Sequence, residues 1–83
     1  MPQTARNATQ IGAAIRRARR QSRLTQADLG AKTGLRQATI SDLERGEGDV
    51  RLSTLLDVLA ALGLELTIDE RGRASAQRLE NLF

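Results

Sequence analysis

The stretch TQADLGAKTGLRQATISDLERG, residues 25–46, has the pattern of two short helices joined by a tight turn. Thr25 and Asp28 have the spacing of a capping box, in which each side chain accepts a hydrogen bond from the other residue's backbone N–H. A helix over 26–32 is therefore predicted. Gly34 is placed to end it, because glycine readily adopts the left-handed conformation found at helix C-termini.

After the turn, the spacing of Ile40 and Leu43 predicts another helix over 37–45 with one buried face. Gly46 is expected to end this helix as Gly34 ends the one before it. Gly30 has no side chain, which lets the two helix backbones approach closely. Two helices of about two turns joined by such a turn have the geometry of a helix-turn-helix, whose second helix lies in the DNA major groove.

A helix is also predicted upstream, over 8–21, with Asn7 and Gln10 as a capping box. Its apolar residues repeat with helical periodicity at Ile11, Ala14, Ile15 and Ala18. Four arginines lie elsewhere on the helical wheel, with Arg16 and Arg20 opposite the apolar stripe and Arg17 and Arg19 on its flanks. They are expected to form a solvent face.

Downstream, Ser53 is the expected N-cap of a fourth helix that ends at Gly63. Its apolar stripe consists of Leu55, Val58, Leu59 and Leu62. Together, the four helices define a domain over residues 8–63. At 83 residues, the chain is near the size at which a single core is only marginally able to hold a fold.

The periodicity changes in residues 64–69, where Leu64, Leu66 and Ile68 alternate with polar residues. This alternation predicts a strand with one buried face, although continued helix is the alternative because Leu and Glu form helices well. The sequence has no second strand-like segment to pair with. A strand here is therefore expected to pair with the same strand of another copy, which makes the protein a homodimer about a two-fold axis.

Charge and composition favour an anionic partner and argue against catalysis. Residues 1–51 carry a net charge of +5 and residues 52–83 carry −2, and 12 of the 13 cationic side chains are arginines. Arginine pairs with phosphates and guanine edges through two parallel hydrogen bonds, although arginines also simply solvate helix surfaces. The chain has no Cys or His, so thiol or imidazole metal sites are excluded, and neither an enzyme nor a cofactor is expected. The absence of a long apolar run predicts a cytoplasmic protein without a membrane segment.

The small residues, apolar residues and turn residues of this stretch jointly match the pattern of a known family. The residues concerned are Gln26, Leu29, Gly30, Gly34, Leu35, Gln37, Ile40, Leu43, Glu44 and Gly46. In this run the sequence resembles the phage-repressor class of helix-turn-helix proteins, also called Cro/C1-type or XRE-type, and the likeness extends over residues 8–62. The resemblance implies an all-α, lambda-repressor-like domain of four helices, with the short strand following it.

The outward face of the helix over 37–45 carries the expected base contacts, which are Arg36, Gln37, Ala38 and Ser41. A glutamine can bond adenine N6 and N7 together, an alanine can meet a thymine methyl group, and a serine can pair with several bases. Family resemblance likewise places base contacts at the start of this helix. Asp42, on the same face, could accept a hydrogen bond from cytosine N4, but nearby phosphates repel its charge, so it is not among the expected contacts.

Phosphate contacts are expected from residues around that face. Gln26 lies in the first turn of its helix, where unpaired N–H groups and the helix dipole favour a phosphate, and family resemblance gives it the same role. The alternative for Gln26 is a capping role. The cationic candidates are Arg45, Arg17, Arg20 and Arg23, for which simple solvation is the alternative.

Within the family, QATIS at 37–41 together with LLDVLAALGLELTI at 55–68 is similar to HipB-type antitoxins. This resemblance implies a homodimer that binds a palindromic double-stranded operator upstream of its own operon. It also implies a HipA-like serine/threonine kinase toxin as partner. A stand-alone Cro/C1-type repressor without a toxin is the alternative hypothesis.

Both ends of the chain are expected to be flexible. Residues 1–7 lack periodicity, and residues 70–83 are polar and include a glycine. Three apolar residues with helical spacing nevertheless lie near the C-terminus, at Leu79, Leu82 and Phe83. Either they anchor the chain in a partner's groove, or they are an end without a function or part of a cloning appendage.

Overall fold

The computed structural model describes residues 4–71, which fold as four α-helices. These are α1 (Ala8–Gln21), α2 (Gln26–Thr33), α3 (Gln37–Arg45) and α4 (Leu52–Ala61). The predicted four-helix, all-α fold is confirmed, and the boundaries predicted for α1, α2 and α3 agree to within one residue.

The core lies where α3 packs against α1 and α2, with α4 closing it against α2. Ile15, Leu29, Ile40 and Val58 are fully buried, one from each helix, and Leu43 and Leu59 are nearly so. Partly buried apolar residues pack around them, namely Ile11, Leu35, Val50, Leu55, Ala61 and Leu62. The inward orientation predicted for Ile40 and Leu43 is confirmed, so the opposite face of α3 is directed away from the core.

Capping fixes where α2 begins. The Thr25 hydroxyl accepts from the Asp28 N–H at 3.0 Å, and the Asp28 carboxylate accepts from the Thr25 N–H at 2.9 Å. This is the predicted capping box. At α1 only half of the predicted box forms: the Asn7 side chain accepts from the Gln10 N–H at 2.8 Å, but the Gln10 side chain accepts from the Arg6 N–H.

The predicted start of α4 was wrong. The helix begins at Leu52, so Ser53 lies inside it, and the N-cap is Arg51, which makes no side-chain capping bond. A serine within the first turn resembles a cap in the sequence, but the extended backbone of the N-cap position falls two residues earlier. The predicted end is confirmed, since Gly63 is left-handed and Leu64 N–H bonds Leu59 C=O at 2.8 Å.

Two glycines allow the helices to approach closely. A Cβ on Gly30 would lie 2.6 Å from the Leu35 carbonyl oxygen, which confirms the close approach predicted at the α2–α3 turn. A Cβ on Gly12 would lie 2.5 Å from the Glu44 carbonyl oxygen, so α1 and α3 are also in backbone contact. The sequence did not single out Gly12.

Residues 64–70 have no regular secondary structure in the single chain, and Leu64, Leu66 and Ile68 are exposed. One chain supplies no neighbouring strand, so the expected strand and its role in a dimer stay predictions. The expected anchor residues Leu79, Leu82 and Phe83 lie outside the described residues. Within the described part of the chain, no helix is long and apolar enough to cross a membrane, and no three acidic, His or Cys side chains are grouped as metal ligands.

Candidate nucleic-acid interface

The residues expected to contact bases lie at the start of α3, on its exposed side. Arg36 is the N-cap, and Gln37 and Ala38 form the first turn; all three are exposed. Ser41 follows one turn later and is half-buried. The fully buried Ile40 holds the other side of the helix in the core, so this face keeps a fixed orientation.

A cleft of about 400 Å³ adjoins this face at Ser41, where the C-terminal half of α1 meets the start of α2 and the C-terminal half of α3. Its lining residues are Arg16, Arg19, Arg20, Gln26, Ser41, Glu44 and Arg45. Four of them were predicted DNA contacts: Gln26, Ser41, Arg45 and Arg20. With four arginines and one glutamate, the lining carries a net charge of +3 and suits an anion.

A second cleft, of about 500 Å³, lies along α1. It contains Arg17 as well as Arg16, Arg20 and Glu44, so the two clefts share three residues. Arg16 was predicted only as part of the solvent face. The structure places it in both clefts. Of the predicted contacts, Arg23, Arg36, Gln37 and Ala38 line neither cleft.

A buried ion pair forms the floor of the first cleft. Arg19 Nε donates to Glu44 Oε2 at 2.6 Å, and Arg19 Nη2 donates to Glu44 Oε1 at 2.9 Å. The third guanidinium nitrogen donates to the Leu24 carbonyl at 2.8 Å. Placing Arg19 on a solvent face was therefore wrong, since only 8% of this residue is exposed, and its partner Glu44 is 7% exposed.

The pair stays charged inside the protein. Burial acts to raise the pKa of Glu44, but hydrogen bonds from Arg19 and Gln26 and the positive charges of Arg19 and Arg16 outweigh it, so the pKa is lowered. The pKa of Arg19 is raised, mainly by its hydrogen bond to Glu44. Because Arg19 and Glu44 neutralise each other, Arg16, Arg20 and Arg45 supply the net positive charge of the cleft.

Gln26 occupies the first position of α2, and its side chain does not cap the helix, since Thr25 does so. Gln26 Nε2 donates to Glu44 Oε1 at 3.3 Å. The carboxylate thus holds the amide at the cleft, next to the N–H groups of the first turn, which is a favourable position for a phosphate.

Arg45 makes polar contacts through every guanidinium nitrogen. Nη1 donates to Ser41 Oγ at 2.7 Å, Nη2 pairs with Asp42 Oδ1 at 2.5 Å, and Nε pairs with Glu47 Oε2 at 3.3 Å. All three partners lie on α3 or directly after it. The predicted phosphate contact is therefore paired with two carboxylates.

Arg23 lies just beyond α1 with φ of 58°, the left-handed conformation that favours glycine. The N–H of Leu24 bonds the Arg19 carbonyl at 3.1 Å, so Arg23 occupies the position that glycine takes in other helix ends. This turn aims the Leu24 carbonyl at the Arg19 guanidinium.

One sequence signal would have identified the buried pair. Arg19 follows the buried Ile15 by four residues, and Glu44 follows the buried Ile40 by four residues. Each charged residue therefore lies on the apolar stripe of its own helix. Opposite charges that continue two core stripes are expected to meet where those helices pack, because a buried charge requires a partner.

Known proteins share both the sequence pattern and the fold. The Helix-turn-helix family model HTH_3 matches residues 15–68. Antitoxin HipB of Escherichia coli K12 is 35% identical over 72 residues, which cover 87% of this chain and 82% of HipB. The HTH-type transcriptional regulator y4dL of Sinorhizobium fredii is 41% identical over 54 residues, which cover 65% of this chain and 28% of that regulator.

Solved structures give the same result. HipB in the HipB-O4 20mer complex superposes with a TM-score of 0.76 at 33% identity, covering 84% of this chain and 99% of that one. A chain of the HipA-HipB-O2-O3 complex matches with the same TM-score, identity and coverage. The resemblance to Cro/C1-type and HipB-type proteins is thereby confirmed.

Proposed function

The chain belongs to the helix-turn-helix HTH_3 family and to the family of the antitoxin HipB, and from this premise we propose that it is a HipB-type antitoxin and transcriptional repressor. It binds its own operator as a homodimer, and it binds a HipA-like serine/threonine kinase toxin. Its action is binding, without catalysis or a cofactor, and it takes place in the cytoplasm.

The cleft beside α3 is the single observation that carries the DNA-binding proposal. It gathers Gln26, Ser41 and Arg45 from separate parts of the helix-turn-helix and adds the arginines of α1. Ser41, one turn after the exposed start of α3, lines this cleft, so a proposed base-reading side chain lies beside proposed phosphate-binding ones. Protein–DNA interfaces need this combination, because phosphate contacts position the protein and base contacts select the sequence.

In the proposed complex, α3 enters the major groove with its N-terminal end toward the bases. Gln37 bonds adenine, Ala38 meets a thymine methyl, and Arg36 and Ser41 bond further base edges. Arg36, Gln37 and Ala38 are exposed, which supports this assignment because none of these side chains packs in the core.

Phosphates on either side are bound by the first turn of α2 and by arginines. Gln26 is held at the cleft by Glu44, and Arg20 lines both clefts. Arg17 lies in the second cleft along α1, Arg45 lies at the edge of the first, and Arg23 follows α1 in the chain. Together these residues follow the backbone of one half-site.

The homodimer is proposed to form through residues 64–69, paired as a two-stranded ribbon. Apolar exposure supports it: Leu66 is 50% exposed and Ile68 is 89% exposed in the single chain. Leu52 and Leu56 on α4 add further exposed apolar surface, which the sequence had not identified. Exposed apolar side chains mark an interaction site where they lie on one face, and the proposed ribbon places Leu66 and Ile68 on one face.

A toxin partner is proposed because a solved structure contains HipB together with HipA. A chain of that complex matches 84% of this one. The alternative, a stand-alone regulator, is favoured by one observation. The regulator y4dL shares 41% identity over 54 residues, so the same DNA-binding unit also occurs in a protein designated a transcriptional regulator.

Selection of oligonucleotides from a randomised duplex pool tests the DNA-binding proposal. We expect enrichment of a near-palindromic sequence with half-site centres about one helical turn apart. If no sequence is enriched from the pool at moderate ionic strength, the proposal is contradicted.

Affinity capture from native lysate separates the two functions. A stoichiometric kinase-like protein captured with the chain supports the antitoxin proposal. Capture of operator DNA without such a protein supports the stand-alone regulator.

A further inference from the structure

Asp42 is an acidic residue on the face of α3 that is directed into the major groove in the proposed complex. DNA phosphates repel a negative charge at this position. Its carboxylate is paired with Arg45 at 2.5 Å, and Glu47 pairs with the same guanidinium at 3.3 Å. All three side chains are about half exposed, at 51%, 63% and 54% for Asp42, Glu47 and Arg45. DNA can therefore reach the guanidinium only in competition with two carboxylates.

The local charge differs from that of the neighbouring cleft. Arg45, Asp42 and Glu47 together carry −1, whereas the other residues that line the cleft bordered by Arg45 carry +2. To bond a phosphate, Arg45 must turn from its two carboxylates, and these then lie unpaired close to the DNA backbone. Exposed ion pairs are weak individually, so such a rearrangement lowers DNA affinity without preventing binding.

We propose that Asp42 and Glu47 compete with DNA phosphates for Arg45 and thereby reduce the sequence-independent part of DNA affinity. This inference rests on the proposed DNA-binding function and adds a residue-level control to it. Binding then depends more on the base contacts at the start of α3, because the electrostatic attraction common to all sequences is reduced.

The test uses the full chain and a random-sequence 20-base-pair duplex, with affinity measured over a range of salt concentrations. Asp42→Asn removes one carboxylate at almost constant shape. We expect about two- to five-fold tighter binding at low salt and a steeper salt dependence, by up to about 0.9 in the log–log slope, as Arg45 becomes available to one phosphate. Glu47→Gln is expected to act in the same direction.

Two controls separate competition from simple charge repulsion. Asp57→Asn makes the same change in net charge on the exposed side of α4 and is expected to leave affinity nearly unchanged. In an Arg45→Gln background, Asp42→Asn is expected to lose most of its effect, since no guanidinium remains to be released. Thermal unfolding of each variant confirms that it is folded.

An equal gain from Asp42→Asn with and without Arg45 would overturn the inference, because repulsion alone predicts that result. No gain in either background would also overturn it. These outcomes are distinct from failure of the proposed function, in which the wild-type chain binds no duplex at any salt concentration and both proposals fall.

Discussion

Gln37 is the residue whose role is most directly measurable. It is exposed in the first turn of α3, while Ile40 anchors the opposite face in the core. A glutamine in the major groove discriminates among bases through paired hydrogen bonds, whereas an arginine on a phosphate does not. The two roles predict different responses to mutation.

We expect Gln37→Ala to cost about 1–3 kcal/mol on the selected site and to relax preference at one base pair. Arg45→Ala is expected to weaken selected and random duplexes alike and to flatten the log–log salt slope by less than about one unit, because Asp42 and Glu47 compete for this guanidinium. Fluorescence anisotropy on both duplexes measures these effects. Identical behaviour of the two variants would show that the roles are assigned wrongly.

At the same scale, the buried pair of Arg19 and Glu44 is expected to matter for stability. Glu44→Ala leaves the Arg19 guanidinium buried without its carboxylate, which costs about 3–5 kcal/mol in the free energy of unfolding. Urea unfolding of Glu44→Ala, Arg19→Ala and the double variant measures the coupling. We expect the double variant to lose less than the sum of the two, and simple additivity would contradict the pairing.

The pair also predicts a pH dependence. The folded-state pKa of Glu44 lies below its unfolded value of about 4.3, so the carboxylate's contribution to stability is complete above that value. It is lost as pH falls through the lowered folded-state pKa. Acid titration of the free energy of unfolding is therefore expected to be shallower in Glu44→Gln than in wild type below about pH 4.3.

At the scale of the elements, the contact between α1 and α3 depends on residues without side chains. Gly46 ends α3 with φ of 71°, and a Cβ there would lie 2.7 Å from Thr9 Cα. Gly48 has a similar φ of 75°, but a Cβ would meet nothing within 4 Å. The two positions share the same backbone requirement and differ in packing.

We expect Gly46→Ala to destabilise the protein by about 1–3 kcal/mol more than Gly48→Ala. Both substitutions strain a left-handed residue, so their difference isolates the collision with α1. Chemical denaturation of the two variants provides the comparison. Equal destabilisation would mean that α1 moves away without cost.

At the start of α3, Arg36 lowers the stability of the helix but is proposed to contact a DNA base. Arg36 is its N-cap and makes no side-chain capping bond. Arg36→Ser is expected to raise the free energy of unfolding by about 1 kcal/mol and to weaken operator binding, since a cap is gained and a base contact is lost.

Arg51→Ser provides the matched control, because Arg51 is the uncapped N-cap of α4. We expect a similar gain in stability, read from thermal unfolding, with unchanged DNA affinity. A loss of operator affinity equal to that of Arg36→Ser would show that the effect is not specific to α3.

At the scale of the whole molecule, assembly is expected to follow from the apolar residues beyond α4. Leu66→Glu places a charge on the face proposed to be buried between two copies, so the dimer should dissociate and operator affinity should fall. Thr67→Glu is the control, since alternate residues of a strand point to opposite faces. Unchanged sedimentation of Leu66→Glu at micromolar concentration would reject the ribbon.

The sequence alone determined the features that depend on neighbouring residues. The Thr25 and Asp28 capping box, the left-handed glycines at 34, 46 and 63, and the buried stripe of α3 were all predicted, because each involves groups within a few positions of one another. Local signals failed at the start of α4, where Ser53 resembles a cap but lies inside the helix.

Only the tertiary structure decided which charged residues pair with each other inside the protein and which of them border the cleft. Arg19 and Glu44 are 25 residues apart, and although each follows a buried residue of its own helix by four positions, neither stretch of sequence identifies the partner on the other helix. Their pairing depends on where α1 crosses α3, which Gly12 and Gly46 permit by bringing the backbones close. Helix positions are set by local hydrogen bonds and periodicity, whereas the composition of the cleft is set by packing between distant segments, and no short window of sequence contains that information.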